Sequence, residues 1–347
     1  MRIAQIAPLY ERVPPLAYGA TERVVHSLTE ALVADGHDVT LFASGDAKTA
    51  AQLVPCCERA LWRDSRVEDT LGAHVRQLEL VAQRAADFDV LHFHTEPLHL
   101  PLARRLPTPA VTTMHGLLRE PDLGALLREF DDAPLVAISA SQRRATPFAN
   151  WRATIHHGLP VDEFDVCVAP GGYLLWMGRM MRGKRPDLAI EIARRARTPL
   201  KMAAAVHPGE RAYFADEIAP LIERSADFVE YLGEVGGEQR AELLRHARAL
   251  LFPIDWDEPF GMVMIEALAC GTPVVAFRRG AVVEVIEDGV TGFVVESVDQ
   301  AVDALRRIES IGRRACRDVF ERRFTATRMA REYVELYERV ASHAMRR

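Results

Sequence analysis

Several features are missing from this 347-residue chain, and each absence closes a door. No stretch approaches the roughly 20 consecutive apolar residues that a bilayer-crossing helix needs. The opening run Met1 to Pro8 is too short for the apolar region of a secretory signal. Cysteine is sparse: five residues, with an odd total and no Cys-x-x-Cys spacing, which argues against a disulfide framework. These features predict a soluble protein of the reducing cytoplasm. An excess of positive charge is missing too. Lys and Arg number 43 against 49 Asp and Glu, for a net charge of −6 that gives no reason to expect nucleic acid. Pairs such as Arg104-Arg105, Arg143-Arg144, Arg194-Arg195 and Arg313-Arg314 leave peripheral membrane contact open, although dispersed arginines on helices are ordinarily solvated. There is no fixed-period repeat, heptad pattern or low-complexity tract. No Gly-x-Gly-x-x-Gly follows the first apolar run, which speaks against a dinucleotide-dependent dehydrogenase.

What is present is alternation. Short apolar runs and helical patterns follow one another from end to end, the mark of parallel sheets with crossover helices. Strands are predicted at Arg2 to Ala7, Val39 to Ala43, Val90 to Phe93, Ala110 to Thr113, Leu135 to Ile138 and Ala153 to Ile155. After the Pro- and Gly-containing stretch Gly158 to Gly172, a second set runs from Tyr173 to Val295. The length favours two domains, here 1–165 and 166–324. A final helical pattern carries Met329, Tyr333, Leu336, Tyr337 and Val340 on one face and needs an apolar partner. In open parallel sheets ligands bind beyond the carboxyl ends of the strands, so charged residues just past those ends are the ones to weigh.

The richest segment is Asp257 to Pro273. Glu258 precedes a turn at Gly261, and Glu266 lies about two turns into the helix that follows, at roughly 1.5 Å rise per residue. Backbone N–H groups at Phe260, Gly261 and Met262, with the positive end of the helix dipole, suit a diphosphate. One carboxylate then reaches the reacting part of a ligand and the other holds a neutral hydroxylated part. Gly178 to Lys184 nearly spells a P-loop, but Arg185 stands where a hydroxyl must meet magnesium, so an NTPase is rejected. Asp255-Trp256-Asp257 has the spacing of a manganese-holding pair, but a three-residue pattern is weak, and the cations Arg179 and Lys184 stand at a strand end as available counter-charges, so no catalytic metal is expected. His92, His94 and His99 lack a completing ligand other than Glu96 and read as lining or structural histidines.

Glu258 to Glu266 resembles the Glu-x7-Glu signature of family-4 retaining glycosyltransferases. So do Pro14 to Glu22, Met114-His115-Gly116, and Gly178-Arg179 with Lys184. The resemblance spans nearly the whole chain and implies the GT-B fold: α/β, two Rossmann-like doubly wound parallel-sheet domains facing across a cleft, with the helix 325–347 returning to the first. It further implies that Arg179 and Lys184 hold the donor diphosphate, Glu258 and His115 contact the reacting sugar, and Glu266 binds ribose. Gly19 and Gly280, with Phe260, Gly261 and Met262, would approach the donor by backbone; Tyr18, Glu22, His94 and His157 are acceptor-side candidates. Two departures stand out. The family's paired glycines are here Gly19-Ala20, which loses freedom to adopt positive φ, and His156-His157 replaces a common Asn-Gly.

The expected activity is transfer of a sugar, with retention, from a nucleotide diphosphate-sugar to a hydroxyl acceptor, without cofactor or metal. UDP-glucose is the preferred donor and GDP-mannose stays open. A sugar-nucleotide 2-epimerase of the same architecture and a catalytically silent sugar-nucleotide binder are the rivals.

Overall fold

The computed structural model describes residues 1–347 apart from Tyr18, Glu96, Arg119, Glu120, Pro170 and Met345 to Arg347. The chain divides into two units, Met1–Leu159 with Ala326–Arg347, and Pro160–Thr325. In the first unit β1 (Arg2–Ile6), β2 (Asp38–Ser44), β3 (Gln52–Cys57), β4 (Val90–Phe93), β5 (Ala110–Thr113), β6 (Leu135–Ala137) and β7 (Trp151–Thr154) form one parallel sheet ordered β3-β2-β1-β4-β5-β6-β7. In the second, β8 (Leu174–Arg179), β9 (Leu200–Ala205), β10 (Val229–Tyr231), β11 (Ala249–Phe252), β12 (Val274–Phe277) and β13 (Gly292–Val295) form another, ordered β10-β9-β8-β11-β12-β13.

The inner strands are apolar on both faces because helices cover both sides of a parallel sheet; β4, β11 and β12 are buried throughout. One strand escaped prediction. β3 carries Pro55 and exposed Gln52, and it is the outermost strand, where a missing N–H costs no ladder bond. The first unit ends at Leu159, six residues before the expected 165. Arg317 accounts for the difference. It is buried on the helix Arg313–Arg323 and donates to the carbonyls of Val161 (2.9 Å), Phe164 (2.6 Å) and Ala269 (2.8 Å), tying the start of the linker to the second unit. Arg313, from one of the arginine pairs considered for a membrane surface, also points inward, to the carbonyl of Ala247 (2.9 Å) and the Thr272 hydroxyl (2.7 Å). Among the described residues no helix is long and apolar enough to cross a membrane.

The C-terminal helix Ala326–Ala344 lies against the helix Ala20–Ala34 and β5, with Met329, Tyr333, Leu336 and Tyr337 buried. Beneath it runs a polar net inside the core. His92 on β4 bonds the Tyr337 hydroxyl through Nδ1 (2.6 Å) and Thr113 through Nε2 (2.7 Å), and Thr113 bonds the Tyr333 hydroxyl (2.7 Å). Gln5 on β1 donates to Tyr337 (3.1 Å) and accepts at Oε1 opposite His94 Nε2 (2.7 Å). His94 Nδ1 meets His115 Nε2 at 2.9 Å, and the ring of His157 stacks on that of His115 (centroids 5.2 Å, 17°).

Burial holds these imidazoles neutral. It drives His92, His94 and His157 well below the usual histidine range, with neighbouring histidines adding to the effect, and it takes His115 to about 3. Below pH 6.5 the unfolded chain therefore binds protons that the native state refuses, so stability is present above that pH and is lost on acidification. Glu22 works the other way: burial first, then the charge of Glu11, raises its carboxyl to about 7, a contribution present at low pH and lost as pH rises through 7. Four histidines outweigh one carboxyl. The melting temperature should fall steadily from pH 7.5 to 5.0, each histidine contributing at most about 1.4 kcal/mol per pH unit; a flat or rising profile in thermal melts would contradict neutral burial.

Candidate active site

Each sheet reverses its strand order once, at β1 beside β4 and at β8 beside β11. Connections leaving two such neighbours diverge to opposite faces and leave a crevice beyond their carboxyl ends. The sequence-derived candidates sit at those ends, and each unit is described in its own right.

In the second unit Arg179 closes β8. The chain then makes a 3-10 turn at Arg182–Lys184 before the helix Pro186–Ala196. Trp176 Nε1 donates to the Lys184 carbonyl (3.2 Å) and Asp255 N donates to that of Gly183 (2.8 Å), so the turn is fastened to β8 and to the segment after β11. Lys184 Nζ lies against the Glu258 carboxylate in an ion pair, with side-chain exposures of 14% and 9%. The same ammonium sits 4.9 Å from the Trp256 ring centroid and 5.2 Å from that of Phe252. Trp256 Nε1 also donates to Glu258 Oε2 (2.9 Å). Lys184 and Glu258, 74 residues apart in the chain, are thus brought together.

The other cations of this loop are likewise paired. Arg179 meets Glu210, Arg182 meets Glu217, and Arg185 meets Asp187 (2.7 Å). Arg185 adopts a left-handed backbone (φ 50°) at the position where a P-loop would need its hydroxyl. Asp255, half of the Asp-x-Asp pattern, faces Arg185 and Arg279 at 3.6 Å each.

Gly261 caps the helix Met262–Ala269 with φ 86°, and a Cβ there would lie 2.6 Å from Met264 Cε. The expected amide-bearing turn is therefore present. The side chain of Phe260 is core, edge-on to Phe324 at 6.2 Å, so only its backbone is a candidate for ligand contact. Two expectations need amendment. Gly280 (φ 55°) faces the Glu258 backbone, where a Cβ would come within 2.3 Å of its N and O, and Ala281 N donates to the Glu258 carbonyl (2.9 Å). Its smallness therefore seats Glu258. The Glu266 carboxylate is fully enclosed and ion-paired with Arg240 (Nε to Oε2, 3.0 Å), because its helix is buried on all sides; a ribose would have to share it with that arginine.

In the first unit Gly19 caps the helix Ala20–Ala34 at φ 155°, and a Cβ there would fall 2.6 Å from Pro15 Cβ. Ala20 is already helical, so the missing second glycine costs nothing in backbone freedom. Glu22 is buried in the first turn; Tyr18 lies outside the described residues. His115 sits just past β5 with Nδ1 enclosed and, among the described residues, without a hydrogen-bond partner. His94, expected on the acceptor side, lies behind His115 with both ring nitrogens engaged, and His157 is packed on the His115 ring. His92 and His99 likewise engage both nitrogens, His99 with Thr95 (3.2 Å) and Thr112 (2.7 Å), which makes them structural. Sequence reasoning missed Glu210, Arg240, Trp256 and Gln5. Glu210, just past β9, was findable by the same strand-end rule that found Arg179.

Comparison with known proteins agrees with this geometry. Residues 21–175 match the family model described as Glycosyltransferase Family 4, and residues 171–310 match the one described as Glycosyl transferases group 1. The D-inositol 3-phosphate glycosyltransferase of Arthrobacter sp. (strain FB24) is 26% identical over 333 residues, covering 80% of this chain and 78% of that one. The phosphatidyl-myo-inositol mannosyltransferase of Mycobacterium leprae (strain TN) is 25% identical, covering 99% and 98%. Among solved structures, AviGT4, a glycosyltransferase involved in avilamycin A biosynthesis, superposes with a TM-score of 0.76 at 26% identity over 98% of both chains. With two such models running in succession along it and two doubly wound parallel sheets, the chain belongs to the family-4, group 1 glycosyltransferases of the GT-B fold.

Proposed function

We propose that this glycosyltransferase moves a hexose from a nucleotide diphosphate-sugar to a polyol hydroxyl with retention at the anomeric carbon. The observation that carries the reading is the Lys184–Glu258 pair at the β8/β11 reversal, beside the amide-bearing turn at Gly261. In the proposed step the acceptor oxygen bonds to the anomeric carbon while the bond from that carbon to the β-phosphate oxygen breaks. The acceptor's proton passes to the departing phosphate on the same face. Arg179, Lys184 and the amides of Gly261 and Met262 stabilise the charge released on the diphosphate, without reorganisation and without calling on a metal. Glu258 holds sugar hydroxyls near the developing positive charge, Glu266 takes the ribose, and His115 bonds a sugar hydroxyl. Gly19, at the start of the helix Ala20–Ala34, approaches the donor by its backbone, and Glu22 in the same turn belongs to acceptor binding.

UDP-glucose is the first donor to test. GDP-mannose is second, because a relative matching nearly end to end is named a mannosyltransferase. The same relative and the Arthrobacter protein have inositol in their names, which favours an inositol-type acceptor. A thermal-shift panel of UDP-, GDP- and ADP-sugars should show stabilisation by one base class. Product formation that requires added inositol phosphate would set a transferase apart from an epimerase or a silent binder; turnover of the donor unaffected by any polyol would overturn the reading.

Arg179→Ala or Lys184→Ala should lower kcat by about 10²–10³ at saturating donor, the loss expected for a preorganised charge-stabilising group. Glu210→Gln should do the opposite to donor binding. With Arg179 relieved of its carboxylate, and its side chain 41% exposed, donor KM should drop by about two- to fivefold, the worth of a partly solvated ion pair. Initial-rate kinetics reads both.

A further inference from the structure

Among the described residues His115 has one nitrogen engaged and one unpartnered, and what it offers a ligand depends on which nitrogen carries the proton. That choice is made elsewhere. The Gln5 amide donates through Nε2 to the Tyr337 hydroxyl, which turns its carbonyl oxygen toward His94. A carbonyl can only accept, so His94 carries its proton on Nε2 and its Nδ1 is a bare acceptor. His115 must then donate from Nε2 to His94, and a neutral His115 is left with a lone pair at Nδ1. Turning the Gln5 amide over would reverse every donor in the chain Gln5, His94, His115 and make that nitrogen an N–H.

We propose that Gln5 and His94 are positioning residues, held by Tyr337 of the C-terminal helix, that fix the tautomer of His115 so that Nδ1 accepts a hydrogen bond from a hydroxyl of the donor sugar. The buried lone pair supplies the motive, since an acceptor enclosed without a partner is unfavourable until a donor reaches it. The chemistry favours this direction as well. A hydroxyl that donates to imidazole has a more electron-rich oxygen beside a sugar gaining positive charge, whereas an N–H pointed at it would oppose that charge. The low proton affinity imposed on His115 by burial agrees with a ring that stays neutral throughout. The sugar contact rests on the glycosyltransferase reading above; the tautomer does not.

The two parts can be tested separately. Long-range ¹H–¹⁵N correlation of the imidazoles in the free wild-type protein should show His115 Nδ1 as an unprotonated nitrogen and Nε2 as protonated; the reverse assignment overturns the proposal whatever the enzyme does. Gln5→Glu keeps an acceptor facing His94 and should preserve that spectrum. Gln5→Met removes it, and Tyr337→Phe releases the amide, so both should shift His115 toward mixed tautomers while the protein stays folded. With UDP-glucose and its monodeoxy analogues, and GDP-mannose with its own analogues in parallel, removing one hydroxyl should cost the wild type about tenfold in kcat/KM, the worth of one hydrogen bond. Gln5→Met should show a similar loss on the intact donor and no further loss on that analogue, and Gln5→Glu should recover most of it. Additive losses would mean that Gln5 acts only on stability and would overturn the proposal. Absence of any turnover of sugar nucleotides by the wild type would instead remove the functional reading and leave the spectrum to decide the tautomer.

Discussion

All strands of a parallel sheet deliver their chains to the same edge, and this constraint governs where chemistry can sit in the molecule. Right-handed crossovers carry successive strands outward in one direction until the order reverses, and at the reversal two neighbouring exits part company. In the second unit the reversal falls between β8 and β11. Arg179 and Lys184 leave by one exit and Glu258 by the other, and the reversal brings Lys184 and Glu258 together. The Trp176 and Asp255 hydrogen bonds then reduce a flexible basic loop to one turn of fixed direction.

The basic loop is also charge-compensated on every side, by Glu210, Glu217, Asp187 and Glu258. The pairs differ in kind. Lys184 and Glu258 are enclosed, so removing either strands a charge away from water, a cost well above that of a solvated pair. Arg179 and Glu210 are more open, and an incoming anion can take the place of the carboxylate at small cost. In the proposed binding mode a donor phosphate would take the place of an existing partner, so the arginine would never have to wait unpaired.

The sheets were legible from the sequence because a buried parallel strand leaves an unbroken apolar run, as in Ala249 to Phe252 and Val274 to Phe277. β3 was not, since an edge strand is free to carry Gln52 and Pro55. The linker boundary was displaced because the residue that sets it, Arg317, lies more than 150 positions away. In the site, Glu258 and Lys184 could be read because their spacing to Gly261 and Gly178 is local. Arg240 beside Glu266, Gln5 behind His94 and the inward burial of His94 depend on contacts between segments far apart in the chain, and no window of sequence contains them.

Glu22 carries a consequence of its own. Burial raises its carboxyl to about 7, so near neutrality this side chain passes between an uncharged population and one bearing an additional negative charge at the first turn of the helix Ala20–Ala34. A negatively charged molecule approaching that turn selects the uncharged population, so its association is accompanied by net proton uptake from the buffer and weakens in alkali, even though the molecule itself does not titrate.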